Sequence, residues 1–115
     1  MAENKFENLE VWQRSRELVL DIYHAFEDNE DFKFCNQIRK AGVSIMNNIA
    51  EGYERQSNKE LIRFLYIAKG STAEVRSMLY LASDLGYLSK EQFQSFHKES
   101  IEISKMLNGL IKSLR

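Results

Sequence analysis

The side chains best placed to do chemistry in this chain are Gln37, Ser44, Asn48 and Glu51, spaced by seven, four and three residues. At 100° per residue these spacings stack them along one line of a helix. Two amides, a hydroxyl and a carboxylate in a row can hydrogen-bond a ligand, a partner or one another. They include no nucleophile beside a base, so the residue types select no reaction. The same row also suits a hydrogen-bonded strip that fixes the register of two packed helices, because polar groups at a seam cost stability unless they are partnered.

The remaining candidates for chemistry are sparse. His97 and Glu99 are two apart, so on a helix they point away from each other and cannot chelate one metal. His24 stands alone at the edge of an apolar face. The run Glu27 to Asp31, EDNED, places four acids among five residues, but it has neither the central glycine nor the distal glutamate of a calcium loop. It reads as a solvated turn whose acids favour the following helix terminus. Glycine-rich phosphate loops, nucleophile elbows and metal motifs are absent from the sequence. No enzyme, cofactor or metal is expected.

A basic set, Arg39, Lys40, Arg55, Lys59 and Arg63, is the candidate nucleic-acid-binding surface. Glu54 and Glu60 are interleaved with it, and most surface charge is only solvated. Repeated around an oligomer, such a patch gains phosphate affinity by multivalency.

These residues lie on elements that the apolar spacing defines. Phe34, Ile38, Ala41, Ile45, Ile49 and Gly52 share one helical face, widened by Cys35, Gly42, Met46 and Tyr53. Ser57 followed by Glu60 is a capping box that starts a new helix. Along it Leu61, Phe64, Leu65, Ala68, Thr72, Val75, Leu79 and Ala82 keep the period until Gly86, which suits a C-terminal cap. A second ridge on that helix, Ile62, Tyr66, Ala73 and Tyr80, is a candidate oligomer interface, because a helix apolar on two faces is covered on both. Packing between two neighbours inside one bundle explains it equally well. Gly70 lowers helix propensity by about 1 kcal/mol relative to alanine and would permit a close backbone approach.

Upstream, Asn8 is the expected cap of a helix built on Leu9, Trp12, Val19, Ile22, Tyr23 and Phe26, with Trp12 in the core. Downstream, Ser89 and Gln92 form another capping box before a helix facing inward with Phe93, Phe96, Ile103, Leu107, Leu110, Ile111 and Leu114. Four helices over about 8–27, 32–54, 58–85 and 90–114, joined by short links, predict an all-α, up-down-up-down antiparallel four-helix bundle in a single domain. This topology puts the acidic turn and Asp84 at one pole. Arg55, Lys59, Arg63, Lys112 and Arg115 lie toward the other.

Composition agrees with that architecture. A chain of 115 residues without proline and with five glycines suits long helices and argues against a turn-rich β sandwich. A net charge of −1 gives no global field toward nucleic acid or anionic membrane, so such binding would need a local patch. The single Cys35 cannot form an internal disulfide, and no stretch resembles a signal peptide or membrane span. A cytoplasmic protein with no membrane partner is expected.

Several stretches resemble a known family. They are Phe6 and Leu9 with Val11-Trp12-Gln13, the run Gln37-Ile38-Arg39 through Val43-Ser44-Ile45, Asn48-Ile49-Ala50-Glu51-Gly52, Ala68-Lys69-Gly70-Ser71 with Glu74, and Leu85-Gly86-Tyr87-Leu88. Together they look like the small four-helix bundle proteins encoded in intervening sequences of bacterial 23S ribosomal RNA genes, over nearly the whole chain. The resemblance implies a homopentameric ring, similar to the accessory protein of diversity-generating retroelements, and a link to nucleic acid through a basic surface. The expected function is a non-enzymatic homo-oligomer that binds RNA or DNA. The alternative is a structural adaptor for a protein partner, without nucleic-acid binding.

Overall fold

Caps decide where the helices begin and end in the computed structural model, which describes residues 5–115. Met1 to Asn4, the start of the polar opening, lie outside the described residues. The chain enters through a short 3-10 turn, Phe6–Asn8, and α1 spans Glu10–Ala25. Asn8 is not its cap: Leu9 holds that position and makes no side-chain capping bond. The entry is held instead by the Phe6 ring, edge-on to Trp12 at 5.2 Å, and by the Gln13 side-chain amide donating to the Glu7 carbonyl at 2.8 Å.

Helix α2, Phe32–Tyr53, starts where the Asp31 carboxylate accepts from the Phe34 amide at 3.2 Å. The Asn29 side chain accepts from the Asp31 amide, so the acidic turn closes on itself before the helix begins. Helix α3, Asn58–Asp84, starts at Ser57, whose hydroxyl accepts from the Glu60 amide. The reciprocal half of that capping box is not made. The Glu60 carboxylate lies 3.8 Å from the Arg55 guanidinium, a charged partner that competes with the cap amide. At the far end Gly86 adopts φ 78°, with Gly86 N–H donating to Ser83 and Tyr87 N–H to Ala82. That is the paired pattern of a Schellman cap. Helix α4, Lys90–Leu114, opens on a complete box between Ser89 and Gln92.

Helix α1 packs on α2 and α4, and α3 packs on the same two; the backbones of α1 and α3 do not approach within 8 Å, so these two helices are diagonal. Side-chain pairs run antiparallel: Tyr80 meets His97, Arg76 meets Ser104 and Tyr66 meets Arg115 along α3 and α4. The result is an all-α rod of 45 × 20 × 19 Å, with no strand among the described residues. Ile22, Ile38, Ile45, Ile49, Leu65, Leu79, Ile103 and Leu107 fill its axis. Each buried methylene there contributes about 0.8 kcal/mol. The buried hydroxyls of Ser15, Thr72 and Ser100 donate back to carbonyls of their own helices, so none is left unpaired.

One contact sets the distance between α2 and α3. A Cβ on Gly52 would lie 2.9 Å from Phe64 Cβ and 3.0 Å from Leu61 Cδ1. The helices can approach this closely only because residue 52 has no side chain. Cys35 is buried near the opposite pole, its thiol against the Phe26 and Asn29 carbonyls. Burial raises its pKa, which keeps it a protonated, unreactive thiol.

Candidate functional site

The polar row on α2 divides into three environments. At its centre the Ser44 and Ser71 hydroxyls share a hydrogen bond of 2.8 Å, joining α2 to α3. The Asn48 side chain donates to the Ser44 carbonyl and hydroxyl at 2.8 and 3.0 Å. Gln37 is exposed at one end, beside a shallow cleft lined with Lys40, Ala41, Ser44 and Glu74. Glu51 is exposed at the other, ion-paired with Arg55 at 2.6 Å. The hydrogen bonds of Ser44 and Asn48 run within the α2–α3 seam, and no nucleophile-and-base pair is assembled.

The basic candidates separate in the same way. Fourteen positions of helix, about 21 Å at 1.5 Å per residue, separate Arg39 from the end of α2 at Tyr53, and Arg55 lies beyond it. Arg39 is half-buried, donating to the Phe26 carbonyl at 3.3 Å and lying over the Tyr23 ring at 4.9 Å. Arg39 and Lys40 therefore belong to the acidic half of the rod. Arg55 and Arg63 come together, each guanidinium 4.8 Å from the Phe64 ring centre. Arg55 is also held by Glu51 and Glu60. Among the described residues Lys59 and Arg63 make no ion pair. Arg115 reaches the same end by donating to the Tyr66 hydroxyl at 2.7 Å, which sets it and Lys112 beside the start of α3.

The second ridge of α3 lies at the surface. Tyr66 and Tyr80 are 46% and 53% exposed, Ala73 is exposed, and Ile62 is half-buried against the core. Tyr80 leans on α4, its ring 5.1 Å from Phe93 and its hydroxyl 3.1 Å from His97 Nε2. Ile67, Leu81 and Leu85 add exposed apolar surface on this helix, and Leu20, Tyr23 and Phe32 do so around α1 and the start of α2.

Two cross-links escaped the sequence reading. Arg14 grips Glu99 through two hydrogen bonds of 2.8 and 2.9 Å, tying α1 to α4. These bonds raise the Arg14 pKa. At the acidic pole the Tyr87 hydroxyl donates to Asp31 at 2.6 Å, linking the α1–α2 turn to the α3–α4 turn. The phenol, helped by the Phe34 amide, holds the Asp31 carboxylate below its ordinary pKa, and the bond in turn raises that of Tyr87. Such pairs lie far apart in sequence and follow no period that a helical projection displays. His24 is exposed at the surface, and among the described residues no cluster of His, Cys, Asp and Glu could hold a metal ion. No helix among them is long and apolar enough to cross a membrane.

Residues 7–109 match the family described as 23S rRNA-intervening sequence protein. A crystal structure of a protein of unknown function from the S23 ribosomal protein family of Bacteroides thetaiotaomicron superposes with a TM-score of 0.83. The two are 32% identical over 89% of this chain and 98% of that one. No curated protein matches the chain.

Proposed function

Because the chain belongs to the 23S rRNA-intervening sequence protein family, we propose that it acts in the cytoplasm as a non-enzymatic homo-oligomer. Its copies assemble into a ring, five by the family resemblance, and bind RNA or DNA phosphates through the basic end. The observation that carries this reading is the gathering of Arg55, Lys59, Arg63, Lys112 and Arg115 at one end of a rod whose α3 leaves Tyr66 and Tyr80 at the surface. Lys59 and Arg63, unpaired by carboxylates among the described residues, are the residues that would meet phosphate. Arg55 would position the loop through Glu51 and Glu60. One copy presents few charges, so affinity would come from several copies engaging one nucleic acid.

Light scattering of the purified protein tests assembly, and gel shifts with structured RNA across a salt series test binding. The expected result is an oligomer whose affinity falls as salt rises, with a log–log slope of about −0.7 to −0.9 per phosphate contact. Lys59→Ala with Arg63→Ala should flatten that slope. No shift at low salt would refute the nucleic-acid part.

A second reading rests on the carboxylates at the same end. Glu51 and Glu60 neutralise Arg55, and the whole chain carries a net −1, which favours a scaffold for a protein partner. A stable ring without RNA affinity would select it.

A further inference from the structure

Four hydroxyls inside the helices direct their proton to their own backbone: Ser15, Thr72, Ser100 and Ser113 each donate to a carbonyl three or four residues back. Ser44 and Ser71 do not. Between them stand two hydroxyl protons and one mutual bond of 2.8 Å, and the Asn48 side chain already donates into Ser44 Oγ at 3.0 Å. Whichever serine donates to the other, one proton is left over for a third acceptor. Ser44 lines the cleft between α2 and α3 whose other walls are Gln37, Lys40, Ala41 and Glu74, a volume of about 390 Å³. Lys40 stands on α2 and Glu74 on α3, both exposed. Neither of these charges, nor the Gln37 side-chain amide, has a hydrogen-bond or ion-pair partner among the described residues.

We propose that this cleft binds a free α-amino acid, its carboxylate between Lys40 and the spare seryl proton, its ammonium between Glu74 and Gln37 Oε1. The cleft carries one charge of each sign. A plain anion drawn to Lys40 is repelled by Glu74, and a plain cation meets the reverse, whereas a zwitterion satisfies both walls. The volume is at the lower end of small-molecule sites, which suits a ligand of a few heavy atoms. Ala41 is the only apolar lining, so burial of the ligand's own side chain gains little and that side chain points to solvent. Recognition therefore rests on the α-ammonium and α-carboxylate, with weak selectivity among small amino acids. The ligand carboxylate also sets the direction of the serine pair: Ser71 donates to Ser44, and Ser44 donates to the ligand. With partners on α2 and α3, the bound molecule bridges two helices, and it needs neither the basic end nor a second copy of the chain.

Glycine is the probe, titrated to about 50 mM into the full chain at neutral pH and constant ionic strength while the backbone amide chemical shifts are followed by NMR. Saturable shifts centred on residues 37–44 and 71–74 are expected, with a dissociation constant on the order of 1–10 mM because both charged contacts lie at an open surface. Glycine methyl ester lacks the anion and N-acetylglycine lacks the cation, and each should bind about fivefold more weakly than glycine. Lys40→Ala and Glu74→Ala should each weaken glycine by a similar factor. Both side chains are exposed, and circular dichroism checks that the variants fold; if either does not, the two blocked probes on the wild-type chain still decide.

Shifts that rise linearly to the last addition, or that spread evenly over the chain, overturn the proposal. N-acetylglycine binding as well as glycine would make the cleft an anion site of Lys40 alone, and the ester binding as well would make it a cation site of Glu74 alone; either overturns recognition of the zwitterion. Glycine binding unchanged in both folded variants would place the ligand elsewhere and overturn the site.

Discussion

Adding a single methyl group at Gly52 tests how closely α2 and α3 approach. In Gly52→Ala the new carbon would lie 2.9 Å from Phe64 Cβ and 3.0 Å from Leu61 Cδ1. The leucine methyl can swing aside; the phenylalanine Cβ is fixed to the backbone of α3. The helices must therefore part beside the short link between them, loosening Leu61 and Phe64, now 8% and 7% exposed. Overpacking of this kind costs about 1–3 kcal/mol. The helix-propensity gain from removing a glycine, at most about 1 kcal/mol, is smaller here because Gly52 is one residue from the end of α2. The net expectation is a loss of about 1–2 kcal/mol, a melting point lower by about 4–10 °C for a chain of this length. Urea and thermal unfolding followed by circular dichroism, at one protein concentration throughout, would measure it. Gly70→Ala is the control: nothing lies within 4 Å of its added carbon, so it should stabilise the single chain by up to about 1 kcal/mol. A Gly52→Ala protein as stable as wild type would refute the close approach.

Glu99→Ala removes the two bonds that Arg14 makes across α1 and α4; it should cost about 1–2 kcal/mol in urea unfolding, with Arg14→Ala similar and the double variant less than additive. Asp31 has its pKa lowered in the fold, so its contribution is complete above the unfolded value of 3.8 and is lost as pH falls through the folded value. Tyr87 has its pKa raised from 10.0, so its contribution is complete below that value and is lost as pH rises through the folded one. Tyr87→Phe should therefore flatten both limbs of stability against pH, read from urea midpoints at acid, neutral and alkaline pH; unchanged limbs would refute the linkage. Ser44→Ala leaves Ser71 and Asn48 short of a partner in a half-buried seam and should cost about 1 kcal/mol by thermal unfolding.

The four helices and most of their ends were legible because they rest on local rules. Apolar period located the faces of α2 and α3, and Gly86 and the Ser89–Gln92 box marked two boundaries through contacts within a few residues. The failures were places where a tertiary partner competed with a local rule. Asn8 yielded the cap position to Leu9, where Phe6 stands against Trp12. Glu60 turned to Arg55 rather than to its own cap. Within the basic set, Arg39 and Lys40 stand further along α2 than Arg55, Lys59 and Arg63, a separation that helix length alone requires. Arg39 lies beside the acidic turn and shares nothing with Arg63 except charge.

Net charge over the whole chain hides how the charges are distributed along the rod. A value of −1 averages the acidic turn over residues 27–31 with Arg55, Lys59, Arg63, Lys112 and Arg115, yet the two groups lie at opposite ends of a rod 45 Å long. With a screening length of about 8 Å at physiological salt, a partner touching one side responds mainly to the charges there. For such a molecule the sum over the chain describes solubility, whereas the charge on each face decides which surfaces can meet. Binding of nucleic acid at the basic end should therefore weaken as salt rises even though the chain as a whole is nearly neutral. An affinity for structured RNA that stayed constant from low to high salt would remove the basic end from the account.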